Sequence, residues 1–180
     1  TDGLGKGNIL TDTITKLREM YTGNLIIIAF AKGGSSVFDW SHARLSVRLD
    51  AVLNRLKEHA IYPNVFLWHQ GETDARPEHY ANWKTNAYGN KTGSFSHYYE
   101  SALSLITRKI GSSFPKSIIG VALASICNNK GNSLIVGAQK HVADKNTNVK
   151  VTTNTDMLGN KYRQDGCHFN ELGTAKIGKE

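Results

Sequence analysis

The 180 residues contain two cysteines and three prolines, and no apolar run approaches the ~20 residues that a membrane-spanning helix needs. The longest such run, Leu25 to Ala31, has the length of a strand. Cys127 and Cys167 are too few for a structural zinc site, which takes about four Cys or His ligands at close spacing. They are free thiols or one disulfide, and their number alone is compatible with cytosol, periplasm or exterior. The chain has no initiator methionine and no charged stretch followed by an apolar one at its start, so no signal peptide is visible. The expectation is a single domain over residues 1–180, cut at both ends.

Runs of one charge are missing too. Basic residues outnumber acidic ones 22 to 15, a net charge of +7, but Lys6, Lys16, Arg44, Arg55, Lys84, Lys116 and Lys161 are scattered and no RNA-binding aromatic motif accompanies them. Nucleic acid is therefore not an expected partner, and a polysaccharide bearing carboxylates is the better anionic candidate. With 39% hydrophobic and 21% charged residues the composition is that of a globular protein and excludes a disordered or fibrous one.

What is present is an alternation of helix and strand signals. Ile9, Leu10, Ile14, Leu17 and Tyr21 recur at helical spacing over 8–21, and the β-branched run Leu25–Ala31 predicts a strand covered on both faces. Leu45, Leu49, Val52, Leu53 and Leu56 stripe a helix over about 43–60, followed by a short strand at Val65–Trp68. Residues 75–96 read as an irregular insertion. A helix carrying Tyr99, Ala102, Leu103, Ile106 and Ile110, a strand over 117–124, a helix carrying Leu134, Ile135, Ala138 and Val142, a strand over 149–153 and a helix from Glu171 complete the series. Such alternation implies right-handed crossovers and a parallel sheet. Because the series opens on a helix, the first strand is expected upstream of Thr1.

Loops that leave the strands of an open α/β sheet are where chemistry is expected. Gly33-Gly34-Ser35-Ser36 offers unshielded backbone amides for an oxyanion hole, although a Gly-Gly pair is as well suited to a plain tight turn. Ser35 and Ser36 lack the final glycine of a nucleophile elbow and fit helix capping better. Trp68-His69-Gln70-Gly71-Glu72-Thr73-Asp74 supplies an amide donor, carboxylates and an aromatic surface, and its spacing matches no metal-ligand pattern. In Asp165-Gly166-Cys167-His168 a carboxylate three residues before a histidine can hold one imidazole nitrogen while the other faces a nucleophile. By itself that spacing fits a surface loop closed by an Asx turn equally well. Gly3-Leu-Gly-Lys-Gly7 is far from a phosphate-loop pattern. Cys127, at the end of a strand, and Cys167, in the loop after the neighbouring strand, should lie close together.

Taken in order, Ala31-Lys-Gly-Gly-Ser-Ser36 with Trp40, Trp68-His-Gln-Gly-Glu-Thr-Asp74, and Asp165-Gly-Cys-His-Phe-Asn170 with Gly173 resemble the sialate O-acetylesterase and acetylxylan esterase branch of the SGNH hydrolases. The resemblance covers nearly the whole chain, including the Tyr99-to-Arg108 helix, Gln139 and Asn154-Thr-Asp156. It implies a three-layer α/β/α fold with a parallel, flavodoxin-like sheet and a serine esterase removing acetyl groups from an O-acetylated oligo- or polysaccharide. His168 would be the general base, Asp165 its orienting acid, and Gly34 and Gln70 the oxyanion donors. Ser35, Trp68 and Glu72 would line the substrate site, with Glu72 also supporting its loop. The resemblance implies no cofactor, no metal and no membrane association, leaves the oligomeric state open, and favours an extracellular or surface-associated place. The family's nucleophile stands in a Gly-Gln-Ser-Asn-like or Gly-Asp-Ser-like loop, and residues 1–180 contain none, so it is expected before Thr1. Tyr80, Trp83 and Tyr88 in the insertion are the expected source of glycan selectivity. The alternative reading is a non-catalytic glycan-binding domain of the same fold.

Overall fold

A computed structural model of the chain describes residues 9–76, 78–79 and 94–180. Tyr80, Trp83 and Tyr88 of the insertion, Asn8 and the Gly3–Gly7 segment lie outside these. Six helices and three strands appear among the described residues: α1 (Ile9–Met20), α2 (Val37–Ser41), α3 (Arg44–Glu58), β1 (Val65–Trp68), α4 (Phe95–Ser113), β2 (Ile118–Leu123), α5 (Ser133–Lys145), β3 (Val149–Asn154) and α6 (Glu171–Lys179). Two short 3₁₀ turns, Thr155–Met157 and Asn160–Tyr162, connect β3 to the last loop.

The strands form one parallel sheet in the order β1-β2-β3, with Val65 beside Ile118 and Ile119 beside Val149. This is the α/β class expected from the alternation. The core lies on one face, where Ile119, Val121 and Val149 meet the apolar stripes of the helices. Leu45, Leu49, Leu53 and Leu56 of α3, Tyr99, Leu103, Ile106 and Ile110 of α4, and Ile135, Ala138 and Val142 of α5 are all buried there. Each stripe follows the three- and four-residue steps that put side chains on one side of a helix. Side-chain caps fix the starts of four helices: Ser36 for α2, Ser94 for α4, Asn132 for α5 and Asn170 for α6.

The segment Leu25–Ala31 departs from expectation. It joins no ladder among the described residues, and instead of being covered on both faces it exposes Ile26 by 74% and Ile28 by 52%. A strand exists only with a hydrogen-bonded neighbour, and β1, the nearest candidate in the sheet order, pairs with β2 alone. Phe30 is the residue of this segment that packs on the core, edge-on to Trp40 at 5.0 Å. On the second face of the sheet Val65, Leu67 and Ile118 are exposed. Helix α1 buries none of its residues and packs on α6.

Candidate active site

The loop after β3 holds the Asp165–His168 pair as a closed unit. Asp165 Oδ1 accepts the backbone amides of Cys167 at 3.0 Å and His168 at 2.7 Å, and Oδ2 lies 2.6 Å from His168 Nδ1. Gly166 makes the turn: its φ is +75°, and a Cβ there would strike the side chain of Asn129. Both side chains remain about half exposed, 49% for Asp165 and 48% for His168. Partial burial pushes the Asp165 carboxyl up, but the His168 ring and the two amides outweigh it and hold it below the ordinary range. An ionised Asp165 fixes the proton on Nδ1, so Nε2, which has no hydrogen-bond partner among the described residues, carries the lone pair.

Two tethers anchor this loop. A disulfide joins Cys127 to Cys167 with Cα atoms 4.1 Å apart, in line with the proximity expected from the strand order. Beside it Arg163, 5% exposed, donates to the carbonyls of Leu158 at 3.1 Å, Thr155 at 3.1 Å, Ile126 at 3.3 Å and Cys167. Its guanidinium lies 4.2 Å from the Phe169 ring centre. Burial lowers the Arg163 pKa, and the charges of Glu72, Asp156 and Asp165 oppose that shift.

The loop after β1 reaches both other loops. His69 Nε2 is 3.4 Å from Thr155 Oγ1 and its ring stands 5.9 Å from Phe169, which brings this loop against the His168 loop. Glu72 Oε1 lies 3.6 Å from His69 Nδ1. Gln70, 8% exposed, donates through Nε2 to Ser35 O at 3.2 Å and to Asp74 Oδ2. Both of its amide hydrogens are thus directed at protein groups. Tyr99 Oη donates to Gln70 at 3.0 Å, and Gln139 donates to Gln70 O at 2.9 Å and to Ala124 O at 3.1 Å. This cluster leaves no room at Gly71, whose φ is +152° and whose added Cβ would run into the Ala124 carbonyl.

The turn before α2 supplies the third wall. Gly34 has φ +67°, and nothing lies within 4 Å of the position its Cβ would take. The serines beside it are occupied. Ser35 Oγ donates to Lys32 O at 2.7 Å and accepts from Trp40 Nε1 at 2.7 Å, which turns inward a hydroxyl expected to meet substrate. Ser36 forms a capping box with Asp39, as its position before a helix suggested. Neither serine hydrogen-bonds to His168. Trp68, expected to line the substrate site, is packed on the core with its ring centre 5.9 Å from that of Trp40 and its indole nitrogen buried.

The family model of the sialic acid-specific acetylesterases, a carbohydrate esterase family, matches residues 1–180. The chain belongs to that family. A search of curated proteins finds no match to it. The three loops thus bring a carboxylate-oriented imidazole, a glycine turn with open space at the Gly34 Cβ position and a buried amide network into one region. Reading the sequence placed Asp74 in the loop motif and Tyr99 on a helical stripe without giving either a part in this arrangement, and did not single out Arg163. Tyr99 and Gln139 carried a signal, since each is a polar group on an otherwise apolar helical stripe; Arg163 carried none.

Proposed function

We propose that the protein hydrolyses acetyl esters on a glycan by a serine mechanism in which His168 is the general base and Asp165 its orienting acid. The observation that carries this reading is the 2.6 Å contact between Asp165 Oδ2 and His168 Nδ1, with Nε2 left open. A serine hydroxyl attacks the acetyl carbonyl and passes its proton to Nε2. The Gly34 amide receives the oxyanion, and collapse expels the sugar alkoxide, which takes the proton from the imidazolium. Water, deprotonated by the same Nε2, then releases acetate and regenerates the serine. Gln70 acts in this scheme from behind the turn, gripping the Ser35 carbonyl; as a second oxyanion donor it would have to release one of its two protein partners.

On this reading the nucleophilic serine stands in the loop after a further strand, supplied from outside residues 1–180, that enters between Leu25–Ala31 and β1. Among the described residues β1 is paired on one side only and Leu25–Ala31 on neither, which supports that place. The test is acetate release from O-acetylated sialic acid and acetylated xylan by the full-length gene product, with fluorophosphonate labelling to find the serine. No acetate release together with no labelled serine would leave only a glycan-binding role.

A further inference from the structure

The mechanism above makes no use of Asp74, a carboxylate that is 4% exposed. The neighbouring charge that bears on it is Asp39, of the same sign. Burying such a group is costly, and its hydrogen bonds are what offset the cost. Oδ2 accepts the Val37 backbone amide at 2.9 Å and the Gln70 side-chain amide, and that same Gln70 nitrogen donates to Ser35 O at 3.2 Å. The Gly33–Ser36 turn is therefore held at the carbonyl of Ser35 and, one residue beyond the turn, at the amide of Val37. Its tip has no packing around the Gly34 Cβ position to hold it. Behind Gln70, Tyr99 Oη at 3.0 Å and Gln139 Nε2 at 2.9 Å fix the side-chain and backbone oxygens, so the clamp cannot simply swing away.

We propose that Asp74 is a positioning residue of the esterase site, fixing the Gly33–Ser36 turn through Val37 and Gln70 so that the Gly34 amide faces the reacting carbonyl oxygen. The inference rests on the esterase reading, and its test separates the two. In the full-length protein, Asp74→Asn places an amide oxygen where Oδ2 stands and keeps both hydrogen bonds; Asp74→Leu fills the volume without an acceptor. Val37→Pro is a second route that leaves the carboxylate in place. It deletes the amide donor at the first helical position, where proline is tolerated, and Ser36 before it is already extended at ψ 163°.

Two quantities are read: hydrogen exchange of the amides from Gly34 to Ser36, and kcat against KM for acetyl-ester hydrolysis. Asp74→Leu is expected to speed exchange about 100-fold and lower kcat about 100-fold with KM little changed, the scale of losing an oxyanion donor. Val37→Pro should do the same about 10-fold, and Asp74→Asn should stay within about threefold of wild type. Unchanged exchange in both Asp74→Leu and Val37→Pro would overturn the proposal, as would an Asp74→Asn protein as impaired as Asp74→Leu. If Asp74→Leu does not fold, Val37→Pro and Asp74→Asn decide. A wild-type protein that does not hydrolyse acetyl esters refutes the functional reading alone, because the exchange measurement still decides whether Asp74 fixes the turn.

Discussion

Asp165 holds His168 twice, through the ring nitrogen Nδ1 at 2.6 Å from Oδ2 and through the backbone amide at 2.7 Å from Oδ1. The double grip sets the ring orientation and the loop conformation with one carboxylate. His168→Ala in the full-length enzyme is therefore expected to lower acetyl-ester turnover by roughly 1,000-fold or more without unfolding it. Asp165→Asn, which keeps an oxygen for the amides and loses the charge, should be damaging but milder. Turnover of p-nitrophenyl acetate and an acetylated sugar measures both, and a near-normal rate for the His168 variant would refute the assignment.

Ser35→Ala and Ser36→Ala should leave fluorophosphonate labelling of the full-length protein intact. Ser36→Ala should cost about 1 kcal/mol of stability through the lost cap of α2. Peptide mapping of the labelled protein decides the matter: a label on either serine contradicts the geometry in which both hydroxyls are occupied.

Asp74 and Asp165 act oppositely on stability. Burial raises the Asp74 pKa from 3.8 to about 7, so the folded state holds its proton longer than the unfolded chain does. The resulting cost is absent below the unfolded pKa and grows until the pH passes about 7, reaching on the order of 4 kcal/mol. Asp165, with a lowered pKa, contributes stability present above its unfolded value and lost as the pH falls through the folded one. Asp74→Asn should therefore gain thermal stability relative to wild type as the pH rises from 4 to 8. Melting curves with a pH-independent difference would contradict this.

Breaking the Cys127–Cys167 bridge, which spans 40 residues, should cost roughly 4 kcal/mol by loop entropy. A Cys127→Ser/Cys167→Ser double variant compared with wild type in a denaturant titration gives the value. An unchanged midpoint would mean that Arg163 and the carbonyls it binds secure the loop on their own.

Where sequence alone was informative, the information was local. The stripes on α3, α4 and α5 and the runs of β1, β2 and β3 are set by residues a few positions apart, and so is the Asp165–His168 pair. Helix α2 was written in the Ser36-Val-Phe-Asp39 capping box but, at five residues, lacked the periodicity that announces longer helices. Leu25–Ala31 misled because apolar, β-branched composition describes a residue's fitness for a strand and not the presence of a neighbour to pair with. The Asp74 clamp was out of reach for a different reason: its contact with Val37 joins residues 37 positions apart, and nothing in either local pattern names the other.

The sheet has two unlike edges. On β3 the border carries Lys150, an exposed charge of the kind that discourages another chain from adding a strand. On β1 the border is Val65-Phe66-Leu67-Trp68, with no charge and with Leu67 69% exposed. Among the described residues, then, the β3 rim is the one guarded by a charge and the β1 rim the one that offers uncharged backbone to a further strand.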